Sequence, residues 1–303
     1  RYGYPHRHFE PKKPILPQRS AKPHAKSFIA SVYDFVLGPQ RVEVDARAQH
    51  REIASFVRRE GGTLSIADVQ ALSGMSRDLA DHFFARFVAE FDGEAEISED
   101  GALYARFPEL QRSTSTEHDE PIVYYWDEYE PPFEVTGNTT GKNVGIGLLA
   151  GFNLVCSAFV VFTLGTAGSS LALLGLVPSV IFSLFFALPL VRSVWVWRKN
   201  KEQHRHNIQK RLYAAVFRTQ DKQVSFDGLV DSANRLARTE ETLVADTLRP
   251  LLESTLRDVG GDVGLNAAND VVVDLSRLRN ETAARKQNAQ AIKRRGVAFS
   301  TRD

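Results

Sequence analysis

The feature that most constrains this chain is a stretch of 49 residues, Asn143 to Val191, that contains no Asp, Glu, Lys or Arg. A helix that crosses the hydrocarbon core of a bilayer needs about 20 apolar residues, so the stretch is long enough for two. Small and polar residues at 165–170 divide it. We therefore predict a transmembrane hairpin within 142–198, with spans at about 144–164 and 171–194. The alternative is a pair of core helices in a soluble protein, which normally keep a polar edge.

The charges at the two ends of this stretch predict its orientation. Lys142 precedes the first span, a basic cluster follows the second, and the turn between them is uncharged. By the positive-inside rule, both termini are expected in the cytoplasm and the protein in the inner membrane as a multi-pass protein. Tryptophan beside a cation is typical of the membrane interface. The residues predicted to lie there are Arg192, Trp195, Trp197, Arg198 and Lys199.

Small residues in the first span predict a surface for close helix packing. Gly145, Gly147 and Gly151 form this patch, which includes a GxxxG spacing. Such a patch lets helices approach closely, either the two helices of one hairpin or helices of two copies. The stretch 143–191 contains no acidic or basic side chain, which argues against an ion pathway or proton relay formed by the hairpin alone.

Residues 41–113 have the pattern of a winged helix. Apolar residues recur at three- and four-residue spacing over 79–91, which predicts the third helix of such a module. Alternating residues on both sides of Glu99-Asp100-Gly101 predict a hairpin, the wing, after that helix. We therefore predict a first winged-helix-like module here.

Residues 199–280 repeat this order of predicted elements. The segment that begins at Gly93 aligns without a gap with the segment that begins at Gly261, an offset of 168 residues. We therefore predict a second module that arose by internal duplication. The alternative is two unrelated helical hairpins with similar turns.

The predicted fold is thus a mainly α membrane protein, in which a two-helix transmembrane hairpin is flanked by two cytoplasmic winged-helix-like (α+β) modules. The remaining segments are biased in charge. Residues 1–40 are predicted to form a basic extended arm and a short amphipathic segment, and 114–141 an acidic-aromatic linker or strand. Residues 281–303 are predicted to form a basic C-terminal tail. Basic ends near the cytoplasmic leaflet are suited to anionic lipid.

The distribution of charge favours protein over nucleic acid as a partner. The whole chain has 38 basic and 37 acidic residues, but residues 41–113 carry nine basic and fourteen acidic ones. Residues 201–280 are neutral, with twelve of each. DNA binding depends mainly on neutralising phosphates, for which an acidic module is poorly suited. A membrane-tethered DNA-binding regulator stays open as the alternative function.

Acidic and aromatic residues together predict the surface that contacts a protein partner or a second copy. Residues 114–134 carry seven Asp or Glu and no Lys or Arg, with five aromatic residues among them. The alternative is an edge strand that packs on the first module. The predicted contact residues are Tyr124, Tyr125, Trp126, Asp127, Glu128 and Tyr129 in this strip, and Glu96, Glu99 and Asp100 in the wing.

No catalytic residue, cofactor or metal site is predicted. Cys156 is the single cysteine and lies in the first span, whereas zinc and iron–sulfur sites take about four ligands. Residues 137–142 superficially resemble a P-loop, but one residue is missing between the glycines and no Ser or Thr follows Lys142. The expected function is non-enzymatic.

Four stretches occur in one order along the chain: Tyr33–Pro39, Tyr104–Gln111, Gly151–Val155, and Ala187–Arg192 with Trp195 and Trp197 after it. In order and spacing they resemble an uncharacterised membrane-protein family of cyanobacteria and plastids, sometimes labelled iron–sulfur cluster biosynthesis proteins. The resemblance implies the same winged-helix and membrane-hairpin topology, with no catalytic residues to transfer. It adds a further alternative function, an accessory factor in the assembly of a cofactor or membrane complex.

Overall fold

The computed structural model describes residues 27–39, 48–112, 122–128, 130–165, 173–236, 245–265 and 271–300. Within these ranges the protein is mainly helical, with two small antiparallel sheets. The helices and strands, in chain order, are α1 (Phe28–Leu37), α2 (Ala48–Arg59), β1 (Thr63–Ser65), α3 (Ile66–Ser73), α4 (Arg77–Glu90), β2 (Glu94–Ile97), β3 (Leu103–Arg106), α5 (Pro108–Arg112), α6 (Thr140–Gly165), α7 (Leu173–Arg218), β4 (Gln223–Ser225), α8 (Phe226–Arg235), α9 (Ala245–Val259), β5 (Asp262–Leu265), β6 (Val271–Asp274) and α10 (Ser276–Ser300).

The chain divides into two compact units. Among the described residues, the first contains 48–128 and 206–300, and we call it the modular unit. The second contains 27–39 and 130–205, and we call it the apolar-helix unit. Helix α7 contributes its first part to the apolar-helix unit and its last part to the modular unit.

Module 1, the first half of the modular unit, comprises α2 to α5 and a three-stranded sheet in the order β1-β3-β2. Its helices surround a core in which Ile53, Leu64 and Phe107 are fully buried. Helix α3 begins at a capping box: the Ser65 side chain accepts from the backbone N–H of Asp68, whose carboxylate accepts from the Ser65 N–H at 2.9 Å. This reciprocal pair satisfies two of the N–H groups that a helix N-terminus leaves open.

Module 2, the second half, has the same order of elements. The end of α7, β4, α8, α9, β5 and β6 follow one another, and the sheet order is β4-β6-β5. Its core includes Leu229, Leu252 and Leu275. Helix α8 begins at Ser225, whose side chain accepts from the N–H of Gly228 at 3.1 Å.

The hairpins of the two modules correspond residue by residue. Adding 168 to the bounds of β2 and β3 gives those of β5 and β6. The registers also correspond, since Glu94 lies opposite Arg106 and Asp262 opposite Asp274. The two sheets are therefore built to the same plan.

The contacts at the ends of the β1–β3 and β4–β6 pairs correspond as well. The N–H of Phe107 donates to the Gly62 carbonyl at 2.7 Å, and the N–H of Leu275 donates to the Lys222 carbonyl at the same distance. A Cβ on Gly93 would lie 2.5 Å from the Phe107 ring, so this close approach of backbone to ring requires glycine.

Two helices of the apolar-helix unit are long and apolar enough to cross a membrane by length and composition, over Thr140–Thr163 in α6 and within Gly175–Arg218 in α7. Helix α7 contains Pro178 and Pro189 and continues to Arg218. The predicted second span and the start of the predicted second module are therefore parts of one helix.

Helices α6 and α7 contact each other through glycines that differ in part from the predicted patch. A Cβ on Gly175 would lie 2.8 Å from the Ser157 carbonyl oxygen, so the helices approach closely there. Gly151 faces Phe186 at an ordinary 3.8 Å, whereas nothing lies within 4 Å of a Cβ on Gly145 or Gly147. Of the predicted patch, Gly151 alone faces α7 within the described residues.

Candidate interaction surface

Residues 122–128 of the acidic-aromatic strip lie in the modular unit as an irregular segment with a turn at 125–127, and these described residues form no strand. Its backbone is held by module 1, since the Val123 N–H donates to a carboxylate oxygen of Glu52 at 3.0 Å. The Glu128 carbonyl accepts from the Lys210 ammonium at 2.8 Å, which ties the end of the segment to α7. Tyr129 lies outside the described residues.

Tyr125 is the anchor of this strip. It is 5% exposed, its N–H donates to the Ala71 carbonyl at 3.0 Å, and its ring meets that of Tyr213 edge-on at 5.5 Å. Gly74, in left-handed conformation at φ 66°, lies so close that a Cβ there would be 2.6 Å from the Tyr125 ring. Tyr125 therefore belongs to the core between the modules. Its neighbour Tyr213 is buried in the same core, and this burial raises the pKa of the Tyr213 hydroxyl well above its usual value.

The neighbours of Tyr125 lie nearer the surface. The rings of Tyr124 and Trp126 stack at 4.9 Å, and Trp126 stacks in turn on Phe217 at 5.1 Å. Asp127 forms an ion pair with Arg218 at 3.0 Å. Burial raises the pKa of Tyr124, and the nearby carboxylate of Asp68 adds to that shift.

Glu96 in the wing is bound within its own unit. It accepts from the Tyr104 hydroxyl at 2.6 Å and from the Arg106 guanidinium at 3.0 Å. The Asn288 amide of α10 donates to the same Tyr104 hydroxyl at 2.7 Å. The hydrogen bond from Tyr104 is the main reason that the pKa of Glu96 lies below its usual value.

The tip of the wing is exposed. Glu99 and Asp100 are exposed there, and Ile97 beside them is 72% exposed. The sequence did not single out Ile97, because alternation along a strand does not show which face a short hairpin leaves uncovered. An exposed apolar side chain among carboxylates suits recognition of a protein surface with basic and apolar groups.

An open cavity of about 820 Å³ lies beside this wing, between α4 and α10. Ile66, Phe84 and Leu103 give it an apolar wall, and Asp100 lies at its margin. Its charged wall is formed by a group of ion-paired side chains around Arg77 and Glu281. The sequence did not indicate this group, because these two residues are more than two hundred positions apart.

That group centres on Arg77 and Glu281, whose side chains are 8% and 3% exposed. Arg77 donates through both terminal nitrogens to the two carboxylate oxygens of Glu281. Asp81 and Arg277 lie one turn from these residues and pair with them at 3.3 and 3.5 Å. The buried pair thus joins α4 of module 1 to α10 of module 2 with its charges mutually neutralised.

A second ionic contact holds α10 against α3. Arg285, 4% exposed, lies 2.7 Å from a Glu60 oxygen and 2.9 Å from an Asp68 oxygen. Burial raises the pKa of Asp68, with Arg285 and Ser65 acting in the opposite direction. Arg285 was assigned by sequence to a basic tail, but it is an internal contact of the modular unit.

The predicted membrane-interface residues lie in α7. Arg192 donates to the Val135 carbonyl at 3.1 Å, and the Lys199 ammonium lies 5.7 Å from the centre of the Trp195 ring. Trp197 is 65% exposed and Arg198 is also exposed.

Within the described residues, no group of three or more His, Cys, Asp or Glu side chains is placed to hold a metal ion. Comparison of the chain with protein-family models, curated proteins and solved structures finds no match. The functional assignment therefore depends on the geometry of the two units.

Proposed function

We propose that this chain is a non-enzymatic integral membrane protein whose cytoplasmic winged-helix-like modules mediate protein–protein interaction or assembly into a homo-oligomer. Helices α6 and α7 form the transmembrane hairpin, with both termini in the cytoplasm and the protein in the inner membrane. The length and apolarity of the two helices support the crossing. The cations at 142 and 192–199 support the orientation.

The winged-helix and duplication assignments rest on the equivalence of the two modules. Both have the element order helix, strand, helix, helix, hairpin, with the first strand paired to the last. Sequential duplication explains why the hairpins share one offset, one register and equivalent hydrogen bonds.

The observation that carries the protein-binding proposal is the burial of Arg77. In a winged helix, α4 would be the helix presented to DNA. Its basic residues are Arg77 and Arg86, and Arg77 is neutralised by Glu281. What the module exposes beside α4 is the acidic wing tip, which repels phosphate and complements a basic protein surface.

The proposal is tested by reversing the charge of the wing tip in the full chain. The variant Glu99→Lys/Asp100→Lys changes two exposed side chains without touching the core. The matched control is Asp231→Lys/Asp262→Lys, with the same charge change on exposed residues of module 2.

Native co-purification from membranes, with a second copy carrying a different tag, reads out both protein partners and self-association. We expect the wing variant to lose at least one association that the control retains. Equal recovery from the wing variant, the control and the unchanged protein would contradict the proposal. Salt-dependent DNA binding by the unchanged chain would instead support the regulator alternative.

A further inference from the structure

Helix α1 has the reverse of the burial pattern of a helix in a water-soluble protein. Ser31 and Asp34 are its two strongly hydrophilic side chains, and they are 1% and 7% exposed. The large apolar residues that point away from the protein are 54–80% exposed: Phe28, Ile29, Tyr33 and Leu37. Within its own unit, this helix hides its polar face and presents its apolar one.

The polar face of α1 is held by the first turn of α6 and by the residues just before it. The Asn138 amide donates to the Ser31 carbonyl at 2.7 Å, and the Lys142 ammonium lies 3.3 Å from the Ser31 hydroxyl. Lys142 is the last charged residue before the charge-free stretch. The first half of α1 is thereby fixed at the N-terminal end of α6.

The other end of α1 is held by the first cation after that stretch. The Arg192 guanidinium donates to the Val36 carbonyl at 2.6 Å. The same side chain lies against Gly38, where φ is 87° and a Cβ would be 2.9 Å from the guanidinium. The two cations that flank the charge-free stretch, Lys142 and Arg192, therefore both hold α1. They place it at the end of the apolar-helix unit where the charge-free stretch begins and ends, beside the exposed apolar surface of α6 and α7.

We propose that α1 is an interfacial helix that embeds its exposed apolar face in the cytoplasmic leaflet of the bilayer that α6 and α7 cross. This inference rests on the proposed membrane crossing. Ten residues of helix span about 15 Å, half of the roughly 30 Å of a bilayer core, so α1 is suited to lie along the interface rather than to cross it. Its apolar face continues the lipid-facing surface of the hairpin.

Charge complementarity supports lipid as the occupant of this face. Residues 1–26, directly before α1, carry seven Lys or Arg and one Glu. Cations next to an interfacial helix are attracted to anionic headgroups. A second copy of the chain or another protein on this face is the competing occupant.

The test is the depth of spin labels in the full chain, reconstituted in vesicles of zwitterionic and anionic phospholipid. One label is placed on the native Cys156 in α6, which is exposed and near the middle of the predicted span. The others replace Ile29 or Tyr33 in a Cys156→Ser background, with Asp231→Cys in module 2 as the aqueous control. Collision rates with oxygen and with a water-soluble nickel chelate are compared at each site.

We expect the labels at 29 and 33 to collide more with oxygen than with the chelate, as at Cys156 but at shallower depth, and the label at 231 to show the reverse. Chelate access at both 29 and 33, with Cys156 still in lipid, would overturn the interfacial helix and leave the hairpin intact. Labels at 29 and 33 that are immobile and shielded from both reagents would show a protein cover and also overturn the inference. Chelate access at Cys156 would contradict the membrane crossing itself.

Discussion

The two units differ in where they place large apolar side chains, which are buried in the modular unit and exposed in the apolar-helix unit. In the modular unit, Phe87 and Phe107 are 1% and 0% exposed and lie among other apolar residues. In the apolar-helix unit, Phe152 and Phe162 are 68% and 75% exposed, and the hydrophilic Ser31 is buried. Water drives apolar groups inward, whereas a bilayer accepts them at the surface and requires polar groups to be satisfied inside. The contrast teaches that each unit is suited to a different solvent.

The largest expected effect comes from removing a buried aromatic ring of the modular unit, and an exposed ring of the apolar-helix unit provides the contrast. Phe107→Ala should lower the free energy of unfolding of the modular unit by about 3–5 kcal/mol, because it leaves a cavity in a packed core. Phe162→Ala, on an exposed position, should change stability by no more than about 0.5 kcal/mol. Chemical unfolding in detergent micelles measures both. A large loss from Phe162→Ala would mean that this ring is packed against protein, which would break the comparison.

An effect of similar size is expected at the ionic contact between the modules. Glu281→Ala should destabilise the modular unit by about 3–5 kcal/mol, because it leaves Arg77 buried with the exposed Asp81 as its remaining partner. Replacing both partners, as Arg77→Met/Glu281→Leu, should recover most of this loss, since the double variant leaves no unpaired buried charge at this contact. The same unfolding experiment applies. A single variant as stable as the unchanged protein would show that the modules do not depend on this pair.

A smaller effect is expected at the contact between the apolar helices. Gly175→Leu should weaken the packing of α6 on α7 by about 1–3 kcal/mol, because the Cβ alone meets the Ser157 carbonyl at 2.8 Å. Gly147→Leu is the matched control, since its Cβ enters open space. Detergent-induced unfolding of the helix pair compares them. Gly147→Leu could leave this unfolding unchanged and still abolish association of two tagged copies. That result would show that the glycines that do not face α7 pack against a second copy, which is the alternative role predicted for the patch.

The smallest effect is a shift of pKa in the wing. Glu96 has a lowered pKa in the folded protein, so its ionised form adds stability above its unfolded pKa, and this contribution is lost as the pH falls through the folded pKa. Tyr104→Phe removes the main cause and should move the Glu96 pKa upward, toward its ordinary value. Titration of the carboxyl carbon by NMR, assigned by difference from Glu96→Gln, measures the shift. Tyr124→Phe is the control, and an equal shift there would contradict the assignment of cause.

The sequence predicted local structure well wherever apolar spacing and turn residues act over short distances. The helix expected over 79–91 is α4, and the hairpin around Glu99-Asp100-Gly101 lies where the pattern placed it. It predicted α7 less well, because prolines and a change from apolar to charged residues indicated two segments where one helix continues. A helix tolerates an internal proline when its surroundings compensate for the missing hydrogen bond.

The candidate surface was predictable only in part. Glu99 and Asp100 are exposed as a wing tip would require, but Tyr125 turned out to be a core residue that fastens the strip between the modules. Composition shows that aromatic and acidic residues alternate, and it does not show which ring finds a pocket. The pairs that join α10 to module 1, such as Arg285 with Asp68, depend on tertiary contacts that no local pattern encodes.

The most direct test of the central claim is the location of the turn between α6 and α7. A reporter that is active only in the periplasm, inserted after Gly168 of the full chain in a bacterial host, is compared with the same reporter at the C-terminus. The hairpin predicts activity at Gly168 and none at the C-terminus. A second reporter, active only in the cytoplasm, is inserted at the same position. If the periplasmic reporter is intact but inactive at Gly168 and the cytoplasmic reporter is active there, the hairpin with both soluble modules in the cytoplasm is contradicted.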